Sequence, residues 1–502
     1  MMPDLPVNHS ALFMLLVPLM PLLTAAAVLA VGKRTVMRDC LCVAGALLTL
    51  ACVLLAGVAV VSGGQPDVTV VTLYPGISLR FSLDGLGLLF AVTSAGMWVV
   101  AALYSIGYMR ALSEHAQSRF YFFYAIALSG GLGVACAGNL FTLYLFYEVI
   151  TISTYPLVAH HQDQKSYAGA RKYLVYLMFT SKAFLLPAMA ILYTQCGTLD
   201  FNLSDIATGM LPHTSTTFLV SVCYVLFILG LAKAALMPLH GWLPAAMVAP
   251  APVSALLHAV VVVKVGVFCM CRVMLSVFGT DILARLNLGL LTAYAAMLTI
   301  LIASLIALTK TDLKARLAYS TVSQLSYIIL GVAMLSRSGI TGGLFHIPAH
   351  AVSKITLFFC AGAIFAMTGK KDIREMGGLG YQIPWVFVAF GLAALSMIGV
   401  PPVGGFVSKW YLAFGTLEIH NRILLAGVLL SSLLNAVYFI EVIVRAFYGR
   451  PPEGTLLITC ARGRSPVLML MMVPLLATAA LSVILGIWPD AAIDLIVNRV
   501  LP

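Results

Sequence analysis

Lysine side chains lie in the middle of long apolar runs in this sequence, where charged groups are rare. The five lysines inside such runs are Lys182, Lys233, Lys264, Lys354 and Lys409. A charge at the centre of a lipid bilayer costs at least about 2.5–3.5 kcal/mol on insertion scales. Leucine or methionine would pack there without that cost, and lysine is the basic side chain that can lose its proton on burial. The pattern predicts proton transfer inside a membrane.

Two glutamates accompany these lysines. Glu148 is expected to control the proton affinity of a nearby lysine, with Lys233 as the preferred partner. The alternative is a buried carboxylate that pairs with a lysine for stability alone. Glu441 and Arg445 lie four residues apart, so they form either an ion pair that eases insertion or a secondary part of the path. Lys182 is also secondary, because its long side chain could reach the membrane surface.

Histidines are further candidates for proton transfer beside the buried lysines and glutamates. His346, His350 and Lys354 lie at positions i, i+4 and i+8, on one face of a helix, which predicts a proton relay with water between them. His258 lies six residues before Lys264, off that helix face, and is therefore a secondary candidate. A metal site on the His346 helix would need a further ligand, and no carboxylate lies in that run. We predict no metal and no cofactor.

The composition places most of the chain in lipid. Of the 502 residues, 61% are hydrophobic and 9% are charged, whereas soluble domains carry about 25% charged residues. The net charge of +11 would suit a nucleic-acid partner in a soluble protein. Here the basic residues fall in short loops between apolar runs, which indicates membrane topology and no nucleic acid.

A membrane-spanning helix needs about 20 apolar residues. Fourteen runs meet this length, which predicts an all-α membrane protein of about 14 transmembrane helices. The long sixth, eleventh and twelfth runs are expected to be tilted or broken. The runs cover residues 11–31, 40–62, 85–107, 120–138, 140–159, 167–193, 217–238, 252–275, 285–308, 317–336, 340–366, 385–415, 423–447 and 467–488.

The basic residues also predict orientation. Seventeen lysines and arginines fall in loops after odd-numbered spans, and six fall in loops after even-numbered spans or at the C-terminus. Because basic loops stay in the cytoplasm, we expect the odd loops there and both termini outside.

Two spans are interrupted by proline at their middles, the seventh around Pro238 and the twelfth at Pro401. Proline removes a backbone donor, and the freed carbonyls are tolerated in a membrane only beside a cavity. Spans four to eight and nine to thirteen each place the break in their fourth helix, which predicts two inverted five-helix repeats around a transport site. The predicted units are residues 1–110 (helices 1–3), 120–275 (first repeat), 285–447 (second repeat) and 467–502 (helix 14).

Several local motifs carry a family resemblance over roughly residues 80–450. They are Asp84-Gly85-Leu86, Phe146-Tyr147-Glu148, Lys233 with Pro238-Leu-His240-Gly-Trp242-Leu-Pro244, Ala249-Pro250 to His258, Lys310 to Ser320, His350 to Lys354 and Gly399 to Lys409. On these motifs the chain resembles the antiporter-like subunits of respiratory complex I and multi-subunit Na+/H+ antiporters, with membrane-bound hydrogenases as relatives. Its short C-terminus makes it similar to the shorter, D-type component of the antiporters.

The resemblance implies residue roles. Glu148 and Lys233 would be the modulating pair, Lys264 and the span-eleven histidines the central relay, and Lys409 the terminal donor. The family often has Asp and Glu where this chain has Ala245 and Val248, so charged groups for proton entry are expected elsewhere.

The resemblance also implies other membrane subunits as partners in a bacterial or archaeal cell membrane. Protons would be the transported ion, with Na+ or K+ as a possible exchanged cation. The chain would not be an enzyme by itself, although it could belong to an ion-pumping oxidoreductase of the NADH–quinone or hydrogenase type. Two alternatives stay open: a passive scaffold that anchors a partner module, and, ranked last, an enzyme with its own quinone site.

Overall fold

The computed structural model describes residues 7–32, 34–212, 216–450 and 466–501. Three of the loop residues counted above, Lys33, Arg462 and Arg464, lie outside this part of the chain. The first helices are α1 (Val7–Val31), α2 (Thr35–Val61), α3 (Gly85–Ala111), α4 (Gln117–Ala135), α5 (Leu140–Val158), α6 (Gln164–Thr180), α7 (Leu186–Cys196), α8 (Thr217–Gly230), α9 (Trp242–Ala245), α10 (Val262–Arg272) and α11 (Gly279–Arg285). The remaining helices are α12 (Leu288–Thr309), α13 (Leu313–Ala333), α14 (Arg337–Thr368), α15 (Leu379–Gln382), α16 (Pro384–Ile398), α17 (Gly404–Glu418), α18 (Arg422–Tyr448), α19 (Pro466–Ile487) and α20 (Asp490–Arg499).

The helical membrane architecture is confirmed. Within the described ranges, ten helices are long and apolar enough to cross a membrane, and the shorter apolar helices α8 and α16 lead into the two predicted breaks. Each of the fourteen predicted spans overlaps helical residues. The exact number of spans, the division into four units and the inverted repeats stay predictions.

Two of the longest spans contain a π-helical segment. Span six runs over 33 residues as Gln164–Cys196, through a π-helical turn at Ser181–Leu185 that carries Lys182. Span eight runs over 33 residues as Val253–Arg285 and begins with a π-helical segment that carries His258. π-helical turns inside α-helices are frequent at functional sites. Their presence at Lys182 and His258 therefore supports both residues as candidates for the functional site. Span eleven, by contrast, is the unbroken helix α14.

The first break separates α8 from α9. Helix α8 ends at Gly230, Lys233 lies in a 3₁₀ turn, and the helix resumes at Trp242. The indole Nε1 of Trp242 donates a hydrogen bond of 2.9 Å to the carbonyl of Ala232. A side chain therefore satisfies a carbonyl that the break frees, as a membrane interior requires.

The second break repeats this arrangement between α16 and α17. Helix α16 ends at Ile398 and α17 begins at Gly404. The carbonyl of Met397 accepts hydrogen bonds from Asn435 Nδ2 at 3.2 Å and from Lys409 Nζ at 2.8 Å. The break thus presents carbonyl oxygens to a buried lysine.

Two elements were not expected from the sequence. Strands β1 (Asp67–Tyr74) and β2 (Ile77–Ser82) form an antiparallel hairpin between spans two and three, and α20 follows the last span. The hairpin had a signal, because residues 68–72 are all valine or threonine, which are common in strands. A search for long apolar runs passes over such a short segment.

Span eight is the central helix of the molecule and lies against the first break. The most apolar 18-residue window of Val253–Arg285 is wholly buried. A Cβ atom built on Gly266 would overlap the backbone of Lys233 and Ala234. Only glycine permits this approach, which places α10 directly against the turn that carries Lys233.

We therefore expect Gly266→Ala to lower the thermal stability of the purified protein. The added methyl meets backbone on the Lys233 side, and overpacking of this kind costs about 1–3 kcal/mol. Gly96→Ala in α3 is the matched control, because its Cβ would have no atom within 4 Å and alanine favours a helix over glycine. Equal melting temperatures for the two variants in detergent would contradict this packing.

Candidate functional site

Glu148 on α5 forms an ion pair with Lys182. Its Oε2 lies 3.0 Å from Lys182 Nζ, and its Oε1 is buried without a hydrogen-bond partner in the described structure. The carboxylate is 13% exposed and the lysine side chain 50%. The sequence pattern favours Lys233 as the partner of Glu148, whereas the lysine in direct contact with the carboxylate is Lys182, which the sequence ranks as a secondary candidate.

Lys233 is fully buried and faces the same turn of α5. Its Nζ donates to the carbonyl of Tyr147 at 2.6 Å and to Thr151 Oγ1 at 2.8 Å. It also lies 3.1 Å from the centroid of the Tyr147 ring, and an aromatic face attracts a cation. Because Tyr147 precedes Glu148, both lysines lie against one turn of α5. Control of Lys233 by Glu148 stays a prediction.

The centre of the site is a direct contact between Lys264 and His350. Lys264 Nζ lies 2.6 Å from His350 Nδ1 and also donates to the carbonyl of Ala259. Both side chains are fully buried, and His350 Nε2 has no partner among the described residues. A lysine and an imidazole at this distance can share one proton, so this contact joins spans eight and eleven chemically.

His346 continues the path from His350 towards the second break. The two rings stack with centroids 5.6 Å apart and an angle of 17° between their planes. His346 Nδ1 lies 2.8 Å from Ser408 Oγ, and its Nε2 lies 3.0 Å from Gln324 Oε1. Ser408 immediately precedes Lys409, so the hydrogen bonds of His346 lead to the helix turn that holds Lys409.

Lys354 does not continue the predicted row of His346 and His350. Although it lies on the same helix, its Nζ donates to the carbonyl of Leu317 at 3.1 Å and to Ser320 Oγ, both on α13. Of the three residues that the spacing places in a row, the two histidines contact each other, whereas Lys354 bonds to the neighbouring helix α13. Spacing fixes the side from which a residue projects, and the length of a lysine side chain lets it reach another partner.

Lys409 closes the path at the second break. Its Nζ donates to the carbonyls of Met397 at 2.8 Å and Ile398 at 2.9 Å, and to Ser432 Oγ at 3.1 Å. The side chain is 6% exposed. An ammonium group has three N–H donors, and three acceptors surround it, so the charged form is fully satisfied.

The secondary candidates His258 and Glu441 differ in whether they have a bonding partner. His258 is fully buried and neither ring nitrogen has a partner within the described structure, and its part in proton transfer stays a prediction. Glu441 pairs with Arg445 at 2.9 Å and also with Arg316 at 2.7 Å. Arg316 is 3% exposed on the side chain, so Glu441 has a buried ion-pair partner that the spacing to Arg445 alone does not reveal.

A second buried ion pair escapes the sequence pattern. Arg272 donates from Nη1 to Asp84 Oδ2 and from Nη2 to Asp84 Oδ1, each at 2.6 Å. Arg272 is one of the six basic residues counted above after even-numbered spans, although it falls inside the predicted run 252–275; in the structure it lies in α10 and is 1% exposed. Predicted topology offered a signal, because the start of span three and the end of span eight fall on the same side of the membrane.

A cavity of about 630 Å³ opens on the side where α3 ends and α4 begins. Its lining includes Glu114, His161, Lys314, Val248 and Ala249. Burial raises the pKa of the Glu114 carboxyl, but three neighbouring histidines outweigh it and the pKa is lowered overall. The cavity therefore brings charged groups close to Val248.

The family comparison agrees with the motifs. The model of a family described as "NADH:quinone oxidoreductase/Mrp antiporter, TM" matches residues 137–435. The NADH-quinone oxidoreductase subunit N of Desulforudis audaxviator is 35% identical over 431 residues, which cover 83% of each chain. The Na+/H+ antiporter subunit A1 of Staphylococcus aureus is 32% identical over 450 residues, or 84% of this chain. The chain spans about half of that antiporter protein, 54%.

Solved structures share the fold. A chain of the Mrp complex from Dietzia sp. superposes with a TM-score of 0.83 at 23% identity, over 97% of this chain and 96% of that one. A chain of an archaeal membrane-bound sulfane sulfur reductase, a respiratory membrane complex, also gives 0.83, at 26% identity, over 97% and 96%. The finer resemblance to the D-type component of the antiporters stays a prediction.

Proposed function

The chain belongs to the NADH:quinone oxidoreductase/Mrp antiporter family of membrane subunits, and from that premise we propose that it moves protons across a membrane within a larger complex. It is an integral, multi-pass membrane protein with other membrane subunits as partners. The contact between Lys264 and His350 is the observation that carries the proposal. Two titratable side chains in direct contact, both fully buried, carry a desolvation cost that packing alone does not repay.

The proton path follows the buried side chains. Near Glu148 the path begins with the half-exposed Lys182 and the buried Lys233, which both lie against one turn of α5. Next to Lys233, α10 brings in Lys264, and from there the proton passes to His350 and His346. Water or side-chain rotation completes the steps that no direct hydrogen bond spans. Lys409 at the second break then exchanges the proton with the far side.

The role of Glu148 follows from its charge. While Glu148 is ionised, it favours the protonated form of the lysines beside it. When the carboxylate and lysine separate, the lysine loses this support and releases its proton towards Lys264. The ion pair with Lys182 gives Glu148 a second lysine as partner, so exchange between Lys182 and Lys233 is part of the proposed cycle.

The chain does no redox chemistry of its own in this proposal. Its relatives are named as subunits of an oxidoreductase and of an antiporter, so energy would come either from a redox partner or from a second cation gradient. We propose that both termini lie outside and that the cavity beside Glu114 faces the cytoplasm, as the distribution of basic residues predicts.

Replacing Glu148 by glutamine should reduce proton uptake by at least about tenfold, whereas Glu148→Asp should retain more activity. Glutamine keeps the shape of the side chain but removes the charge that supports the neighbouring lysines. Proton uptake is measured in vesicles that hold the complete complex, with Na+ or K+ added in turn. An unchanged rate for the glutamine variant would count decisively against the modulating role.

Two further variants identify the lysine that responds to Glu148. If the ion pair with Lys182 is part of the cycle, Lys182→Gln lowers the rate, and adding it to Glu148→Gln causes little further loss. Glu418→Gln is the matched control, because Glu418 is exposed and bonds Ser338 away from the path. Normal transport in Lys182→Gln would leave Lys233 as the responding lysine.

A further inference from the structure

A cluster of histidines and one glutamate lies outside the buried proton path, at the opening of the large cavity. Glu114 and His115 belong to the turn between α3 and α4, and His160 follows the end of α5. One donor atom from each of these three residues lies within 4.8 Å of the others. Neither of the two chain segments is close in sequence to the other, so the fold alone brings these donors together.

His160 is the residue that points to a ligand. Its side chain is 1% exposed, and its Nε2 has no hydrogen-bond partner among the described residues. That nitrogen lies 3.7 Å from Glu114 Oε2, which is too long for a hydrogen bond. A buried polar nitrogen without a partner is costly. The arrangement leaves room for something between the nitrogen and the carboxylate.

The spacing suits a metal ion with short bonds to nitrogen and oxygen. Zinc binds both donors at about 2.0–2.2 Å, so tetrahedral neighbours lie roughly 3.4 Å apart. His115 Nδ1 lies 4.0 Å from Glu114 Oε2, and His160 Nε2 lies 3.7 Å from the same atom. The three donor atoms lie within 4.8 Å of one another, so they must approach by up to about 1.4 Å to reach this tetrahedral spacing. His115 is half-exposed, and rotation of its side chain can bring its ring nitrogen closer to the other two ligands.

Neighbouring charges narrow the class of ion. Arg119 donates to the carbonyl of His160 at 3.1 Å, and its positive charge opposes any bound cation. A single carboxylate would hold an alkali ion only weakly beside that charge. Imidazole nitrogens bind zinc, nickel and copper strongly, and two histidines with one glutamate form a donor set that zinc sites use with water as fourth ligand.

We propose that Glu114, His115 and His160 bind a divalent transition-metal ion of the zinc class at the opening of this cavity. Glu114 and His161 also line the cavity, and His161 Nδ1 lies 3.6 Å from Glu114 Oε2. A bound ion would tie the α3–α4 turn to the end of α5 and place positive charge at the opening. With this cytoplasmic cavity as the entrance for protons, the bound ion would slow their uptake. That consequence rests on the proposed function, whereas binding itself does not.

Binding is tested on the complete complex, purified without a polyhistidine tag, by calorimetric titration with Zn2+ and by the visible absorption of Co2+. We expect one site per chain in the unaltered protein. Glu114→Gln and His115→Asn should each weaken binding at least about tenfold, because each removes one of three ligands and the loss of even an outer-shell partner costs about 10–100-fold. The half-exposed position of His115 keeps that variant folded. His420→Asn, at an exposed histidine, should bind as the unaltered protein does. Unchanged binding in the first two variants, or no binding at all, would overturn the site.

Proton uptake with and without Zn2+ tests the consequence separately. Zn2+ should slow uptake by the unaltered complex and have little effect on His115→Asn. If Zn2+ binds at the site but leaves uptake unchanged, the inhibitory role is wrong. If the complex binds Zn2+ at this site yet moves no protons under any condition, the site stands and the proposed function fails.

Discussion

Replacing Lys264 by methionine is expected to abolish proton transport while leaving the protein folded. Methionine fills a similar volume, and it removes a charged group whose burial costs about 2.5–3.5 kcal/mol or more. Stability should therefore hold or rise. Transport should fall by about a hundredfold or more, the size of effect typical of a positioned proton-transfer group, because His350 Nδ1 loses the amine that lies 2.6 Å from it.

Transport and stability must be measured on the same preparations. Proton uptake in vesicles gives the first, and thermal unfolding in detergent gives the second. The double variant Lys264→Met/His350→Gln should be no slower than Lys264→Met alone, because both changes interrupt one step. A Lys264→Met complex that assembles and pumps at the normal rate would favour the alternative scaffold role, in which the buried lysines do no transport.

The membrane fold follows from the sequence because lipid imposes simple rules. Long apolar runs must be helices, since every backbone group needs a partner inside the segment. Each predicted span accordingly overlaps a helix, and the proline-rich interruptions mark the ends of α8 and α16. The hairpin of β1 and β2 was missed because it lies outside the membrane runs, where this rule does not apply.

The type of each site residue was easier to predict than its partner. A lysine in an apolar run stands out by its cost, so Lys233, Lys264 and Lys409 could be identified one by one. Partners depend on how helices are rotated and packed, which spacing along one helix does not determine. Glu148 therefore pairs with Lys182, and Lys354 faces Ser320 on α13.

The ion pair of Asp84 and Arg272 is another case in which the sequence shows the residues but not their pairing. Each residue lies near the end of a predicted span, where a charge is unremarkable and membrane topology explains it. In the structure the two meet across 188 residues of sequence, and neither is accessible as a loop residue would be. A pairing rule that matches opposite charges at the same membrane depth would have found them.

Lys409→Arg is expected to give a complex that folds, assembles and fails to transport protons. The ammonium group of Lys409 has three acceptors, the carbonyls of Met397 and Ile398 and the hydroxyl of Ser432. Guanidinium can satisfy these acceptors and keep the positive charge, but it stays protonated in proteins. A residue that only balances charge would tolerate the change, whereas a proton donor would not.

A glutamate at position 409 distinguishes further between a proton donor and a residue that only balances charge. Lys409→Glu keeps a titratable group, although two of its neighbours are carbonyls, which accept a hydrogen bond only from the protonated acid. We expect transport rates in the order Lys409, then Lys409→Glu, then Lys409→Arg, with the arginine variant slower than the unaltered complex by at least about tenfold. Lys172→Arg is the matched control at an exposed lysine and should transport normally. If Lys409→Arg pumps at the unaltered rate, Lys409 is a fixed countercharge at the second break, and protons must leave the path before they reach it, from His346 or Ser408.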